Sequence, residues 1–303
     1  MKKKPLKDFN GYLQDIFGRK VHKITIDADF GCPNRDDHGG CIYCNDRGSG
    51  TGLSRQGVSV EEQMRLGIAA VKRKYKNVNS FIAYIQSYTN TYAPPEVLKR
   101  TWEEVAKFPE VVGISVGTRP DCVNRENMDV LKGFSGKYKI FLELGLQSIN
   151  EDTLRWIGRG HTVNDFIKAV ELAKGYPFDI VAHVILGFPG QGRDEVIETA
   201  RFLSRLNVHG VKLHLLYVTK GSRLEELHHN GAFSPVDMQS YITMACDFIE
   251  HLSPDIVIHR LTGDAHRGEL IAPEWSKEKT KVINAIHEEF TQRDSFQGKQ
   301  WKR

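Results

Sequence analysis

Short runs of β-branched and apolar residues alternate with amphipathic stretches over the first two thirds of this 303-residue chain. The runs that resemble strands cover residues 24–28, 81–86, 111–116, 139–144, 180–186 and 210–217. Such alternation predicts parallel βα units. Because so few units do not close a TIM barrel of the usual kind, we expect an α/β fold, a partial (β/α)6 TIM-type barrel with a C-terminal α/β extension.

The stretches between the runs have helical periodicity and start signals. They cover residues 60–75, 95–108, 124–131, 162–174 and 193–206. Ser59 or Ser54 would cap the first of them, Thr162 would cap the fourth, and Asp194 would lie in the first turn of the fifth. The tail predicts a helix over 234–252 with Pro235 in its first turn, a strand over 255–260 and a helix over 277–293. We therefore predict a barrel over residues 1–225 and an extension over 226–303 packed on it.

Three cysteines, Cys32, Cys41 and Cys44, follow the first predicted strand with the spacing C-x8-C-x2-C. Three thiolates on one loop can hold three irons of a [4Fe–4S] cluster and leave the fourth iron open to a small molecule. The alternative is a zinc site with His38 as fourth ligand. Structural zinc sites usually have two paired knuckles, whereas only one C-x2-C occurs here. The cluster is the favoured interpretation.

Composition narrows the class of protein. Five cysteines are too few for a disulfide scaffold, and Cys122 and Cys246 are expected to be small buried residues. No secretory signal opens the chain and no apolar run is long enough to span a membrane. We expect a cytoplasmic protein with no membrane partner. A net charge of +4 and a pI near 8.7 permit a polyanionic partner without requiring one.

Polar residues follow each predicted strand, at the edge where barrel enzymes carry their chemistry. Gln86, Ser87 and Thr89 end the second run, and Thr118 and Arg119 end the third. Later runs carry the segments 142–148, 159–161, 183–191, 212–222 and 259–266. Glu143 lies inside an otherwise apolar strand, where a carboxylate is costly to bury without a partner.

The cysteine loop and this succession of strand-end motifs resemble the radical SAM superfamily over residues 20–225. The likeness is to the branch of elongator-like catalytic subunits and oxygen-independent coproporphyrinogen oxidases, and the whole chain resembles a stand-alone YhcC/YtqA-like, MnmL-type family. The resemblance implies a [4Fe–4S] cluster and S-adenosyl-L-methionine (SAM), with Cys32, Cys41 and Cys44 as catalytic metal ligands. It implies a SAM pocket formed by Tyr43, Gln86, Ser87, Thr89, Thr118, Arg119, Glu143, Gln147 and Arg159. Arg159 would pair with the methionine carboxylate, and a structural Glu143–Arg159 ion pair is the alternative.

The same resemblance implies that the motifs over 183–191 and 212–222 face the substrate, and the density of polar residues over 259–266 suggests that this segment also belongs to a site. The candidate residues are His183, His214, Lys220, His259, Arg260, Asp264 and His266. Family likeness favours tRNA, with 5-carboxymethylaminomethyl-uridine at the wobble position converted toward 5-aminomethyl-uridine. A flavodoxin or ferredoxin would supply electrons. Two alternatives stay open: a radical SAM enzyme that acts on a small metabolite, and a zinc-binding interaction module.

Overall fold

The structure is a computed structural model that describes residues 5–48, 50–263, 265–266 and 268–302. Its strands are β1 (His22–Ile26), β2 (Phe81–Ile85), β3 (Val111–Thr118), β4 (Lys139–Gln147), β5 (Phe178–Leu186), β6 (Gly210–Leu215), β7 (Val218–Thr219), β8 (Val257–Arg260) and β9 (Leu270–Ala272). Seven of them form one parallel sheet in the order β1-β2-β3-β4-β5-β6-β8. This curled half-barrel confirms the predicted fold class.

The helices are α1 (Phe9–Phe17), α2 (Pro33–His38), α3 (Val60–Lys74), α4 (Pro95–Ala106), α5 (Arg125–Lys132), α6 (Glu151–Trp156), α7 (Val163–Ala173), α8 (Arg193–Arg205), α9 (Arg223–His229), α10 (Met238–His251) and α11 (Lys279–Gln292). The five helices predicted between strands occur within about two residues of their predicted bounds. Ser59 caps α3 by accepting from Glu62 N, and Thr162 forms a capping box on α7.

The predicted start of α10 was wrong. The helix begins at Met238, so Pro235 lies before it. Asp237 is the N-cap, and its carboxylate accepts from Ser240 N at 2.9 Å. A side-chain cap satisfies a backbone N–H that would otherwise be unpaired in the first turn. Asp237 can do this and Pro235 cannot, so the helix starts after Asp237.

Alternate residues of each strand face two different cores. One face packs against the surrounding helices, for example through Ile140 and Leu142 of β4. The opposite face, near the N-terminal ends of the strands, carries Ile82, Phe141 and Val181 packed with α1 through Phe9 and Leu13. Because side chains alternate along a strand, this second core lies inside the half-barrel. Helix α1 therefore plugs the lumen from below.

The C-terminal segment contributes to the sheet itself. Strand β8 pairs with β6, with Gly210 opposite Val257 and Lys212 opposite Arg260. Helix α10 packs against α8, and α11 packs against α10. The short β7 and β9 pair in antiparallel fashion. The domain boundary at residue 225 stays a prediction, but residues on both sides of it build one sheet. None of the described helices combines the length and the apolar character needed to cross a membrane.

Candidate active site

A cavity of about 1000 Å³ opens at the C-terminal ends of the strands and continues down the half-barrel lumen. All three loop cysteines line it. The predicted site residues that also line it are Tyr43, Gln86, Thr89, Thr118, Glu143, Gln147, Arg159, His183, His214, His259, Arg260 and His266. Residues from strands throughout the sheet therefore share one space with the cysteine loop.

The cysteine loop, residues 32–45, is anchored by backbone hydrogen bonds on both sides. Ile42 N donates to Ile157 O at 2.9 Å, and Leu224 N donates to Ile42 O at 2.8 Å. Arg35 crosses the loop and donates to Asn45 O at 2.8 Å. These contacts fix the loop against α6 and α9 without using any cysteine side chain.

The loop thiols are close enough to affect one another. Burial, and next the charge of Cys41, raise the pKa of Cys44 to about 12. A buried thiol of this kind ionises when a metal cation compensates the charge. Among the described residues, no three Cys, His, Asp or Glu side chains converge on the position of one metal ion. A cubane cluster does not require such convergence, because each thiolate binds a different iron.

Arg159 lies beside the loop. It is buried, and its guanidinium donates to Cys41 Sγ at 3.6 Å, to Gly145 O at 3.3 Å and to His161 Nε2 at 2.8 Å. Burial, and next the charge of Arg159, lower the pKa of His161 to about 2, so the ring is neutral and accepts this hydrogen bond. A Cβ at Gly145 would lie 2.6 Å from Arg159 Nη2, so this close approach requires glycine. Among the described contacts Arg159 does not pair with Glu143, so the structural Glu143–Arg159 ion pair that was the alternative is wrong.

Glu143 is the centre of a buried polar group that we call the Glu143 cluster: Lys23, Ser115, Glu143, His183 and Lys212. Its carboxylate accepts from Lys23 Nζ at 2.9 Å and from His183 Nε2 at 2.7 Å, and it also pairs with Lys212. The partners that a buried glutamate requires are thus supplied by four other strands, β1, β3, β5 and β6.

The charge state of the Glu143 cluster follows from its neighbours. Burial alone would raise the pKa of Glu143, but Lys212 and Lys23 hold it well below its usual range. Burial, and next Lys212, lower the pKa of His183 to about 4, so a neutral imidazole donates to the carboxylate. The ring of Tyr84 lies under both ammonium groups, 4.0 Å from Lys212 Nζ and 4.7 Å from Lys23 Nζ.

Two predicted site residues have structural partners instead of facing the cavity. Ser87 is fully buried and donates to Asp27. Arg119 forms an ion pair with Asp121 at 2.6 Å and also donates to Arg159 O at 2.6 Å. The second contact holds the backbone of Arg159 in place. Strand-end position alone did not show that these side chains turn away from the lumen.

Three further predictions have separate outcomes. The side chain of Lys220 is exposed and does not line the cavity, although Lys220 O lies 3.4 Å from Asn45 Nδ2 of the cysteine loop. Asp264 lies outside the described residues. Cys246 is buried as expected, whereas Cys122 is only partly buried because it borders a second, shallower pocket.

Lys23, Tyr84 and Lys212 also line the cavity, although they are not among the predicted site residues. The sequence does contain a feature that could have identified the two lysines as site residues. Lys23 and Lys212 each interrupt a β-branched or apolar strand, and a charged group at such a position needs a buried partner as much as Glu143 does.

Two family models match the chain. The Radical SAM superfamily model matches residues 30–203, and the Radical_SAM C-terminal domain matches residues 208–292. The first match covers more than half of the sequence, and the chain belongs to the radical SAM superfamily.

Individual relatives agree with the predicted resemblance. MJ0486 of Methanocaldococcus jannaschii is 37% identical over 289 residues, which are 95% of this chain and 89% of that protein. YtqA of Bacillus subtilis is 36% identical over 297 residues, 97% of this chain and 92% of that protein. The solved structure of the archaeal Methanocaldococcus infernus Elp3 has a TM-score of 0.71 at 16% identity, over 91% of this chain and 64% of that one. At this identity the likeness to Elp3 shows the fold alone.

Family membership implies SAM and a [4Fe–4S] cluster, and the residues present fit both. The donor set is three thiols on the wall of one cavity, with no fourth cysteine lining it in the described part of the chain. Arg159 offers a buried guanidinium beside Cys41, at hand for a carboxylate. Gln147, at the end of β4, lines the same space. When bound, the cluster supplies reductive cleavage of SAM and hydrogen abstraction from an unreactive C–H bond.

Proposed function

We propose that this radical SAM enzyme modifies tRNA at the wobble uridine, converting 5-carboxymethylaminomethyl-uridine toward 5-aminomethyl-uridine. The observation that carries this proposal is the continuity of the cavity. The same space that contains the cysteine loop reaches an exposed group that we call the basic strip: Lys20, Lys74, Tyr75 and Lys76. A nucleotide can enter the lumen from this side while its neighbours stay outside.

The basic strip has the chemistry of a single-stranded RNA contact. Lys74 Nζ lies 5.3 Å from the centroid of the Tyr75 ring. The centroids of the His22 and Tyr75 rings are 4.7 Å apart. Aromatic rings stack on unpaired bases, and the flanking ammonium groups attract the phosphate backbone. Bases that undergo chemistry are turned out of their stack into a pocket.

Different groups of residues would bind the cluster, SAM and the substrate. Cys32, Cys41 and Cys44 would hold the cluster, Arg159 would orient the methionine part of SAM, and the Glu143 cluster would line the substrate end of the lumen. Helix α1 packs beside this end of the lumen through Phe9 and Leu13. A flavodoxin or ferredoxin in the cytoplasm would supply the electrons.

The decisive measurement is nucleoside mass spectrometry of tRNA from cells that lack this protein. We expect 5-carboxymethylaminomethyl-uridine to accumulate there and the wild-type gene to reverse this. Binding of a labelled anticodon stem-loop should also weaken steeply as salt rises, because counterions are released on binding. Unchanged tRNA nucleosides together with no binding at low salt would favour a small-metabolite substrate instead.

A further inference from the structure

The walls of the cavity carry a large excess of positive charge. Eight lysine or arginine residues line it, against two carboxylates, Glu143 and Glu269. The basic residues are Lys20, Lys23, Arg35, Lys74, Lys76, Arg159, Lys212 and Arg260. Glu269 is already paired with Arg47 at 2.9 Å near the cysteine loop. Little acidic charge is therefore available to the cations deeper in the lumen.

The imbalance is sharpest around the Glu143 cluster. Two lysines share the single carboxylate of Glu143. Arg260 ends β8, in register with Lys212 across the strand pair. In the part of the chain that the structure describes, no hydrogen bond or ion pair engages the Arg260 guanidinium, although it lies close enough to influence His214, His183 and Lys212. A half-buried cation without a partner leaves a place for an anion.

Two imidazoles near Arg260 offer further hydrogen-bonding capacity. His214 Nε2 and His259 Nδ1 are buried and have no hydrogen-bond partner among the described residues. Both rings line the cavity, and the His214 ring lies 5.2 Å from that of His183. Buried polar atoms are normally satisfied, but these two nitrogens have almost no accessible surface, so they can reach a ligand only if their rings turn.

We infer that Arg260, with Lys212 behind it, binds a carboxylate group of the substrate inside the half-barrel. The planar guanidinium matches a carboxylate with two parallel hydrogen bonds. The carboxylate of SAM has a separate partner, because Arg159 follows β4 and lies beside Cys41, whereas Arg260 ends β8. The inference rests on the proposed function for the identity of the group, which is then the carboxymethyl end of the modified uridine.

The test compares an acid with its amide. Equilibrium dialysis of reconstituted protein with SAM would measure binding of the nucleoside 5-carboxymethylaminomethyl-uridine and of its carboxamide. We expect the wild type to prefer the acid by roughly 10- to 100-fold, the range for hydrogen bonds to charged groups. Arg260→Gln should lose this preference and Arg260→Lys should keep part of it. Arg201→Gln, on the exposed face of α8, is the matched control and should keep it in full.

The outcomes separate the two proposals. Equal binding of acid and amide by the wild type, or a preference that Arg260→Gln retains, overturns the inference. If neither nucleoside binds, the proposed function is judged on the tRNA nucleosides and stem-loop binding described above, and the carboxylate site is judged on N-benzylglycine against N-benzylglycinamide. An acid preference that disappears in Arg260→Gln then supports the site, and its absence overturns it. Circular dichroism and the cluster absorbance report whether each variant is folded and loaded.

Discussion

The cysteine loop and the Glu143 cluster line the same cavity but are built in opposite ways. The loop brings Cys32, Cys41 and Cys44 together within a single connection and fixes them with local backbone contacts. The Glu143 cluster joins residues that are 120, 69 and 40 positions apart from Glu143. The first group is a property of a short segment, whereas the second exists only when the sheet has formed.

This difference predicts different costs of substitution. Among the described residues the loop thiols accept only long hydrogen bonds, such as that from Arg159 to Cys41 Sγ at 3.6 Å, so their removal should affect chemistry far more than folding. Glu143 and Lys212 of the Glu143 cluster are buried charges, and breaking such a pair leaves the other charge uncompensated. Loss of activity and loss of stability should therefore separate between the two regions.

The largest effect is expected for Cys41→Ala. A cluster with one thiolate missing should not assemble, so reductive formation of 5′-deoxyadenosine should fall below detection. The thermal unfolding midpoint should change little. Anaerobic iron analysis, cluster absorbance and chromatography of the products measure this. Cys122→Ala is the matched control, because Cys122 lies outside the cavity lining. Cleavage retained by Cys41→Ala would show that the ligands are assigned wrongly.

Glu143→Gln should have the largest effect on stability. Removing the carboxylate leaves Lys23 and Lys212 buried near each other, and breaking a buried ion pair in this way costs about 3–5 kcal/mol. Denaturant unfolding of the apoprotein measures the free energy of unfolding. The double variant Glu143→Gln/Lys212→Met should recover part of the loss. A single variant as stable as the wild type would contradict the structural role of the cluster.

Arg159→Lys tests whether the guanidinium beside Cys41 binds the carboxylate of SAM. Lysine keeps the charge but cannot form the two parallel hydrogen bonds of a guanidinium. We expect SAM affinity to fall by roughly tenfold or more while the cluster spectrum is unchanged. Arg155→Lys, an exposed position on α6, is the comparison. Equal SAM affinity in wild type and Arg159→Lys would place the methionine carboxylate elsewhere.

The smallest effect concerns the basic strip. Tyr75→Ala should weaken binding of an anticodon stem-loop by about 1–3 kcal/mol, the range for loss of one base–aromatic stack. Cleavage of SAM without RNA should be unaffected. Tyr92→Ala provides a control of similar exposure, since Tyr75 is 41% and Tyr92 is 43% exposed. Equal binding by both variants would remove the basic strip from the RNA interface.

The accuracy of sequence reasoning varied with the range of the interactions involved. The six strands of the barrel and the five helices between them follow from local periodicity and from caps such as Ser59 and Thr162. Helix α1 was missed, although Phe9, Leu13 and Phe17 recur every four residues and Asp8 caps it. The sequence could not have predicted its position in the lumen, because Phe9 and Leu13 pack against residues of strands that are far away in sequence.

Site residues show the same limit. Glu143 was predicted to need a buried partner because a carboxylate in an apolar strand is costly, but the identity of Lys23, Lys212 and His183 was not. Gln86 and Ser87 are adjacent, and the backbone directs one to the cavity and the other to Asp27. Position at a strand end predicts the neighbourhood of a side chain and not its direction.

The sequence by itself predicted the parallel βα architecture, three candidate cysteine ligands and the family, because strand periodicity and ligand spacing are encoded within short segments. Only the tertiary structure decided which charges neutralise one another and which remain without a partner. That balance depends on distances between strands that are far apart in sequence, and electrostatic energy in a buried site follows those distances. Arg260 shows this most clearly, since its lack of an ion-pair partner among the described residues can be seen only when every neighbouring strand is in place.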